Sequence, residues 1–141
     1  MKADNRMRIE FDAVSENEAF ARASVAAFIA PLDPTVEELT EIKTALSEAV
    51  SNAVIHGYEG KQGVVQVSCA CLGGVVEITV ADFGAGIENV DKAKEPLYTS
   101  KPEQERSGMG FTVMEIFMDK LEVESQKGEG TKVTMTKQLG R

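Results

Sequence analysis

Residues 64–81 read Val64-Val65-Gln66-Val67-Ser68-Cys69-Ala70-Cys71-Leu72-Gly73-Gly74-Val75-Val76-Glu77-Ile78-Thr79-Val80-Ala81. Two runs rich in β-branched residues flank a Gly-Gly pair, the composition of a tight hairpin turn. Alternation puts Val65, Val67, Cys69 and Cys71 on one face of the first run. It puts Val76, Ile78 and Val80 on the matching face of the second. The pairing is therefore read as antiparallel, with one face buried. A second hairpin is predicted from Leu121–Ser125 and Thr131–Gln138, around Lys127-Gly128-Glu129-Gly130. A first strand is predicted over Met7–Val14, where Met7, Ile9, Phe11 and Ala13 alternate.

The segments around these strands carry helical spacing. Ser15 with Glu18 has the pattern of a capping box ahead of an alanine-rich helix that stops at Ala30-Pro31. Thr35 with Glu38 repeats the pattern, and Pro34 suits a helix start. From there apolar residues recur at Val36, Leu39, Ile42, Ala45, Leu46, Ala49, Val50, Ala53 and Val54, and Gly57 reads as the stop. A weak helix is predicted near Asp91–Lys94 and a short one over Met109–Met118, with a polar, proline-containing loop over 95–107. Hairpins interspersed with helices predict an α+β fold. It is a two-layer α/β sandwich with a mixed, mainly antiparallel sheet and helices on one face.

A chain of 141 residues suits one domain, 1–141, with a sizeable core. A net charge of −8 argues against non-specific nucleic-acid binding and permits a basic protein partner or a bound cation. No apolar run approaches the roughly 20 residues of a membrane span, and the first residues lack an apolar signal region. A cytoplasmic location without membrane association is the expectation. Cys69 and Cys71 share one strand face without disulfide geometry and read as reduced, partly buried thiols.

Four places could carry chemistry. Glu48 and Asn52 are one helical turn apart at the rim of the apolar stripe, and His56 continues the row. A carboxylate there can act as a base and an amide oxygen can ligate Mg2+, but the pair reads equally as a solvated polar edge. Asp82-Phe83-Gly84-Ala85-Gly86 follows a strand, where glycines let backbone approach a ligand and a buried aspartate can accept from an exocyclic amine. Gly108-Met109-Gly110 precedes a helix, whose free N–H groups favour phosphate, with Lys101, Arg106 and Ser107 just upstream. Gly130-Thr131 opens the last strand. Each alone also reads as an ordinary turn or helix entry.

Together, and in this order, these boxes resemble the nucleotide-binding boxes of the GHKL superfamily (the Bergerat ATPase fold), which includes gyrase, histidine kinases and MutL. The stretches Leu32-Asp33-Pro34-Thr35, Ser47-Glu48-Ala49-Val50-Ser51-Asn52-Ala53, His56-Gly57-Tyr58, Thr99-Ser100-Lys101-Pro102 and Glu105-Arg106-Ser107-Gly108-Met109-Gly110-Phe111 are similar to the anti-sigma-factor serine kinases of spore-forming bacteria.

That resemblance implies a homodimer that inhibits a sporulation sigma factor. It also implies ATP-dependent phosphorylation of a serine on an anti-anti-sigma factor, with ATP/ADP and Mg2+ as ligands. By the same resemblance Glu48 is the general base, Asn52 the Mg2+ ligand and Asp82 the adenine reader, with Gly84, Gly86 and Thr131 around it. Gly108, Met109 and Gly110 approach the phosphates. Residues 95–107 form a lid that adds Thr99, Lys101, Arg106 and Ser107 to the nucleotide contacts. Residues 1–32 form the dimer and partner surface, with Arg22 a candidate partner contact or simply a solvated arginine. The chain carries no phospho-accepting helical domain and no transducer domain, so the implied substrate is a separate protein. A non-catalytic nucleotide-gated binding module and a stand-alone ATPase are the alternatives.

Overall fold

A computed structural model describes residues 3–59, 61–87, 90, 94 and 110–140. The strands are β1 (Asn5–Asp12), β2 (Val64–Leu72), β3 (Val75–Asp82), β4 (Lys120–Gln126) and β5 (Gly130–Gln138). The helices are α1 (Asn17–Ile29), α2 (Val36–Asn52) and α3 (Gly110–Phe117), with a 3-10 turn at Ala30–Leu32 and a π turn at Ala53–Gly57. The strand order is β1-β2-β3-β5-β4, and every pairing is antiparallel.

The Gly73-Gly74 hairpin forms as expected. Both glycines have positive φ, +54° and +84°, which suits a two-residue turn matched to the strand twist. Its register sets Val67 beside Val80, Cys69 beside Ile78 and Cys71 beside Val76. These residues, with Phe11 from β1 and Val133 and Met135 from β5, form the buried sheet face. α1 lies over β1 and β2, α2 over β3 and α3 over β4. The outer face carries Gln66, Ser68, Glu77, Thr79, Thr134 and Thr136. Cys69 and Cys71 are free and buried outright rather than partly, and burial pushes the Cys69 thiol up to about 12.

α2 is the central helix, packed against both α1 and α3. Ile42, Ala45, Leu46, Ala49 and Val50 are its buried stripe. Its capping box is complete: Glu38 N–H donates to Thr35 Oγ1 at 3.0 Å and Thr35 N–H donates to Glu38 Oε1 at 2.8 Å. Glu38 also accepts from Gly140 N–H at 2.9 Å, tying the end of the chain to the start of α2.

Two local expectations are corrected. The Ser15–Glu18 capping box does not form; α1 starts at Asn17 without a side-chain cap. Glu18 instead reaches forward to Arg22 at 3.1 Å, while the Asn17 side chain secures the entry by donating to Asp12 O at 2.9 Å. β1 is Asn5–Asp12 rather than Met7–Val14 because its partner strand begins at Val64, opposite Asp12. At the other end, Cys71 offers backbone to Asn5 although the side chains there are polar. The bond from Lys94 N–H to Val90 O, 3.1 Å, is of the helical type, but 91–93 lie outside the described residues.

Candidate functional site

Glu48 and Asn52 stand one turn apart on α2, both partly buried. The N-terminus of α3 closes on them. A Cβ on Gly110 would lie 3.2 Å from Asn52 Nδ2 and 3.2 Å from Glu48 Oε2. A side chain at this position would crowd both polar groups, which would have to give by a few tenths of an ångström. After Asn52 the helix widens into the π turn, which carries His56.

That π turn carries the chain to Gly57, which meets the second piece of the site. Asp82 is the last residue of β3, on the helix-facing side, and is 7% exposed. A Cβ on Gly57 would stand 2.7 Å from Asp82 Cγ. Gly57 is thus glycine for steric room, and its φ is not of the left-handed type expected of a helix stop. The Asp82 carboxylate accepts from Gly84 N–H at 3.0 Å. Burial raises its pKa above the ordinary value, and the backbone N–H groups of Gly84 and Thr131 offset part of that rise.

The turn after Asp82 is threaded between two backbones. Ala85 N–H donates to Gly57 O at 2.6 Å, and Ala85 O accepts from Gly128 N–H at 2.6 Å. A Cβ on Gly84 would lie 1.8 Å from Gly57 O. Gly86 has φ +75°, and a Cβ there would meet Gln126 O at 2.2 Å. The spacing Asp82-x-Gly84-x-Gly86 is therefore demanded by the π turn on one side and the β4–β5 hairpin on the other.

Thr131 pairs directly with Asp82 across β3 and β5. Its backbone N–H favours the Asp82 carboxylate, while its hydroxyl is 2.8 Å from Ser125 Oγ. Ser125 is a hub not singled out from sequence. Its hydroxyl accepts from Ile87 N–H at 2.7 Å and donates to Gly130 O at 3.0 Å. Its signal is the register that sets Ser125 opposite Thr131, which emerges only once the hairpin is paired. Gly57 and Tyr58 also belong to this neighbourhood, although the sequence showed them only as a helix stop and part of a family-like stretch.

The structure thus brings together Glu48, Asn52, Asp82, Gly84, Gly86, Gly110 and Thr131 along one helix–sheet seam. Thr99, Lys101, Arg106, Ser107, Gly108 and Met109, and with them the lid over 95–107, lie outside the described residues. Arg22 is separate from the seam. It donates to Glu18 at 3.1 Å and to Ser47 Oγ at 3.0 Å. With Thr40, Lys43, Thr44 and Ser47 it lines an open groove between α1 and α2 that ends at Glu48.

The donor set suits a nucleotide. A desolvated carboxylate backed by glycines can hold an amine-bearing ring, and a helix start opposite an amide and a carboxylate can face phosphates. Among the described residues no group of three or more His, Cys, Asp and Glu is gathered for a metal. Mg2+ needs no such cage, since it binds through one or two protein oxygens together with phosphates. Among the described residues, no helix is long and apolar enough to cross a membrane.

The solved structure of RsbU and RsbW domains from Mycobacterium tuberculosis superposes with a TM-score of 0.71 at 24% identity, over 97% of this chain and 33% of that one. A histidine kinase domain from Erythrobacter litoralis superposes at 0.56, with 22% identity over 86% of this chain and 61% of that one. These two likenesses concern the fold. Sequence relatives are much nearer. The anti-sigma F factor of Clostridium perfringens (strain SM101) is 64% identical over 96% of this chain and 98% of its own length. That of Clostridium kluyveri is 60% identical over 95% and 94%. That of Bacillus thuringiensis (strain Al Hakam) is 59% identical over 96% and 93%. A family model described as the histidine kinase-like ATPase domain matches residues 11–137. By these matches the chain belongs to the histidine kinase-like ATPase family, in its anti-sigma F factor branch.

Proposed function

We propose that this chain holds a sporulation sigma factor inactive and, as an ATP-dependent serine kinase, phosphorylates an anti-anti-sigma factor. The observation that best supports a catalytic reading is the closure of Gly110 on both Glu48 and Asn52. A helix N-terminus facing a carboxylate and an amide provides the parts that phosphoryl transfer needs, which are positioning, charge stabilisation and a proton acceptor.

In this reading Asp82 accepts from the adenine amine and the glycine backbones at Gly84 and Gly86 leave room for the ring. Asn52 offers its amide oxygen to Mg2+, which when bound neutralises phosphate charge. Glu48 receives the proton of the incoming serine hydroxyl as that oxygen bonds to the terminal phosphorus and the bond to the ADP oxygen breaks. Thr99, Lys101, Arg106, Ser107, Gly108 and Met109 complete the phosphate side. The groove from Arg22 to Glu48 supports a protein substrate. A chain seated between α1 and α2 would run past Arg22 and Lys43 toward the proposed base. The protein acts as a homodimer through residues 1–32, in one domain spanning 1–141, in the cytoplasm.

Incubation with labelled ATP and the anti-anti-sigma factor tests the kinase. Label on a partner serine is expected, and a wholly unlabelled partner would refute the activity. Phosphate release without partner would instead identify a stand-alone ATPase. Nucleotide-dependent sigma-factor binding with neither label nor release would identify a nucleotide-gated binding module. Glu48→Gln should bind ATP and fail to transfer.

A further inference from the structure

The side chain of Tyr58 occupies a place in the sheet that belongs to a backbone hydrogen bond. In the β2–β3 hairpin the two-residue turn makes Leu72 and Val75 a bonded pair, and the alternation of antiparallel pairs runs on through Ala70–Glu77, Ser68–Thr79 and Gln66–Ala81. The next bonded pair in that series is Val64 with Phe83. The ladder does not close there directly. Phe83 N–H donates to the Tyr58 hydroxyl at 2.8 Å, and that hydroxyl donates to Val64 O at 2.5 Å. One phenol oxygen is spliced between the strands and relays the bond.

The splice has a steric counterpart. The Tyr58 ring fits only because residue 63 is glycine, since a Cβ there would lie 2.3 Å from Tyr58 Cε1. It also has a geometric consequence. With an oxygen inserted between Val64 and Phe83, β3 parts from β2 immediately after Asp82. The turn is then free to dock on the π turn through Ala85 N–H and Gly57 O. The same departure lets Gly84 N–H fold back onto the Asp82 carboxylate. A direct Val64–Phe83 bond would pull Phe83 toward β2 and carry Asp82 with it.

We propose that the Tyr58 hydroxyl is a positioning group for nucleotide binding: it holds the end of β3 open so that Asp82 and its turn face the pocket. The proposal rests on the nucleotide reading of the Asp82 pocket. Both hydrogen bonds of the Tyr58 hydroxyl are to backbone.

The test is calorimetric titration of ATP into the wild type and into Tyr58→Phe, which keeps the ring and removes the relaying oxygen. The expected result is a Kd about tenfold weaker, the size of one well-placed hydrogen bond. The phosphorylation rate at saturating ATP should stay within about twofold, because Glu48 and Gly110 are untouched. Amide exchange of Phe83 and Ala85 in the nucleotide-free protein should quicken in the variant while that of Ile78 does not. A role in stability alone would lower Tm and leave the Kd of the folded protein unchanged, and that result overturns the proposal. A wild type that takes up no ATP overturns the nucleotide reading and the proposal with it. ATP binding by the wild type with an unchanged Kd in Tyr58→Phe overturns the proposal alone. Should Tyr58→Phe fail to fold, Gly63→Ala retains the hydroxyl but displaces the ring, and the same loss of affinity is expected.

Discussion

Gly57 is packed against the carboxylate of Asp82 so closely that a methyl group on it would stand 2.7 Å from Asp82 Cγ and 2.8 Å from Oδ1. The two residues lie 25 positions apart. Their contact joins the helix that carries Glu48 and Asn52 to the strand that carries the proposed adenine reader. Gly57→Ala is therefore expected to push Asp82 out of place rather than to perturb the helix. The variant should lose most ATP affinity by calorimetry while its far-ultraviolet circular dichroism stays that of the wild type. Unaltered affinity would show that Asp82 is not held by this contact.

Gly110 makes a milder demand. A Cβ there would be 3.2 Å from Asn52 and Glu48, tight enough to move polar side chains by a few tenths of an ångström and too loose to break the fold. Gly110→Ala should unfold within about 2 °C of the wild type. Its phosphoryl transfer should fall about tenfold or more, since small displacements at a reacting centre are costly. Single-turnover kinetics with labelled ATP would read the loss.

The Asp82 carboxyl is raised by burial, against the pull of two backbone donors. A raised carboxyl binds its proton more tightly in the folded chain than in the unfolded one. Stability attributable to Asp82 is therefore fullest below the unfolded value of about 3.9 and is lost as pH rises through the folded value. The Gly84 amide, which donates to this carboxylate, should report the titration by NMR with a midpoint above that of a free aspartate. A midpoint at or below the free value would contradict the burial argument. Asp82→Asn should abolish the transition and cut ATP affinity.

Lys137 is buried at 8% exposure, on the helix-facing side of β5. Its ammonium donates to Phe117 O at 2.7 Å and lies 3.6 Å from Glu41 Oε2. It thus caps the C-terminus of α3 and ties that helix to α2, the arrangement favoured by the helix dipole. Lys137→Met should cost about 1–3 kcal/mol in urea unfolding, because a carbonyl and a carboxylate lose their partner. ATP affinity should weaken with it, since α3 also delivers Gly110. A stability change under about 0.5 kcal/mol would assign the lysine to surface solvation instead.

Thr35→Ala removes the side-chain half of the α2 capping box. About 1 kcal/mol of stability should go with it. Glu38, held below its ordinary pKa chiefly by the backbone N–H groups of Thr35 and Gly140, links this cap to pH. Its contribution is present above the unfolded carboxylate value and is lost as pH falls through the lower folded value. The deficit of Glu38→Gln, which removes the charged acceptor, should accordingly shrink in acid, as followed by thermal melts. A deficit independent of pH would separate Glu38 from the cap.

What the sequence determined by itself was local. Alternation in residues 64–81 set the hairpin and its buried face, the Thr35–Glu38 pattern set the start of α2, and helical spacing put Glu48 and Asn52 on one rim. Each is a property of neighbours a few residues apart, where period and capping chemistry decide the outcome. Where two local patterns competed, the reading failed. Ser15 and Glu18 looked like a box, but Glu18 found Arg22 one turn on. The ordered boxes also pointed to the right family, although each box alone had an ordinary explanation.

Only the tertiary structure decided why those boxes contain the residues they do. Gly57 is glycine because of Asp82, Gly84 because of Gly57, Gly86 because of Gln126, and Gly110 because of Asn52 and Glu48. Ser125 and Tyr58 came to support the turn after Asp82 through bonds to backbone far along the chain. Such contacts leave no period in the sequence. They arise when sheet register and helix docking bring backbones to within a methyl group of each other, and the free energy that selects the residue exists only in that packed arrangement.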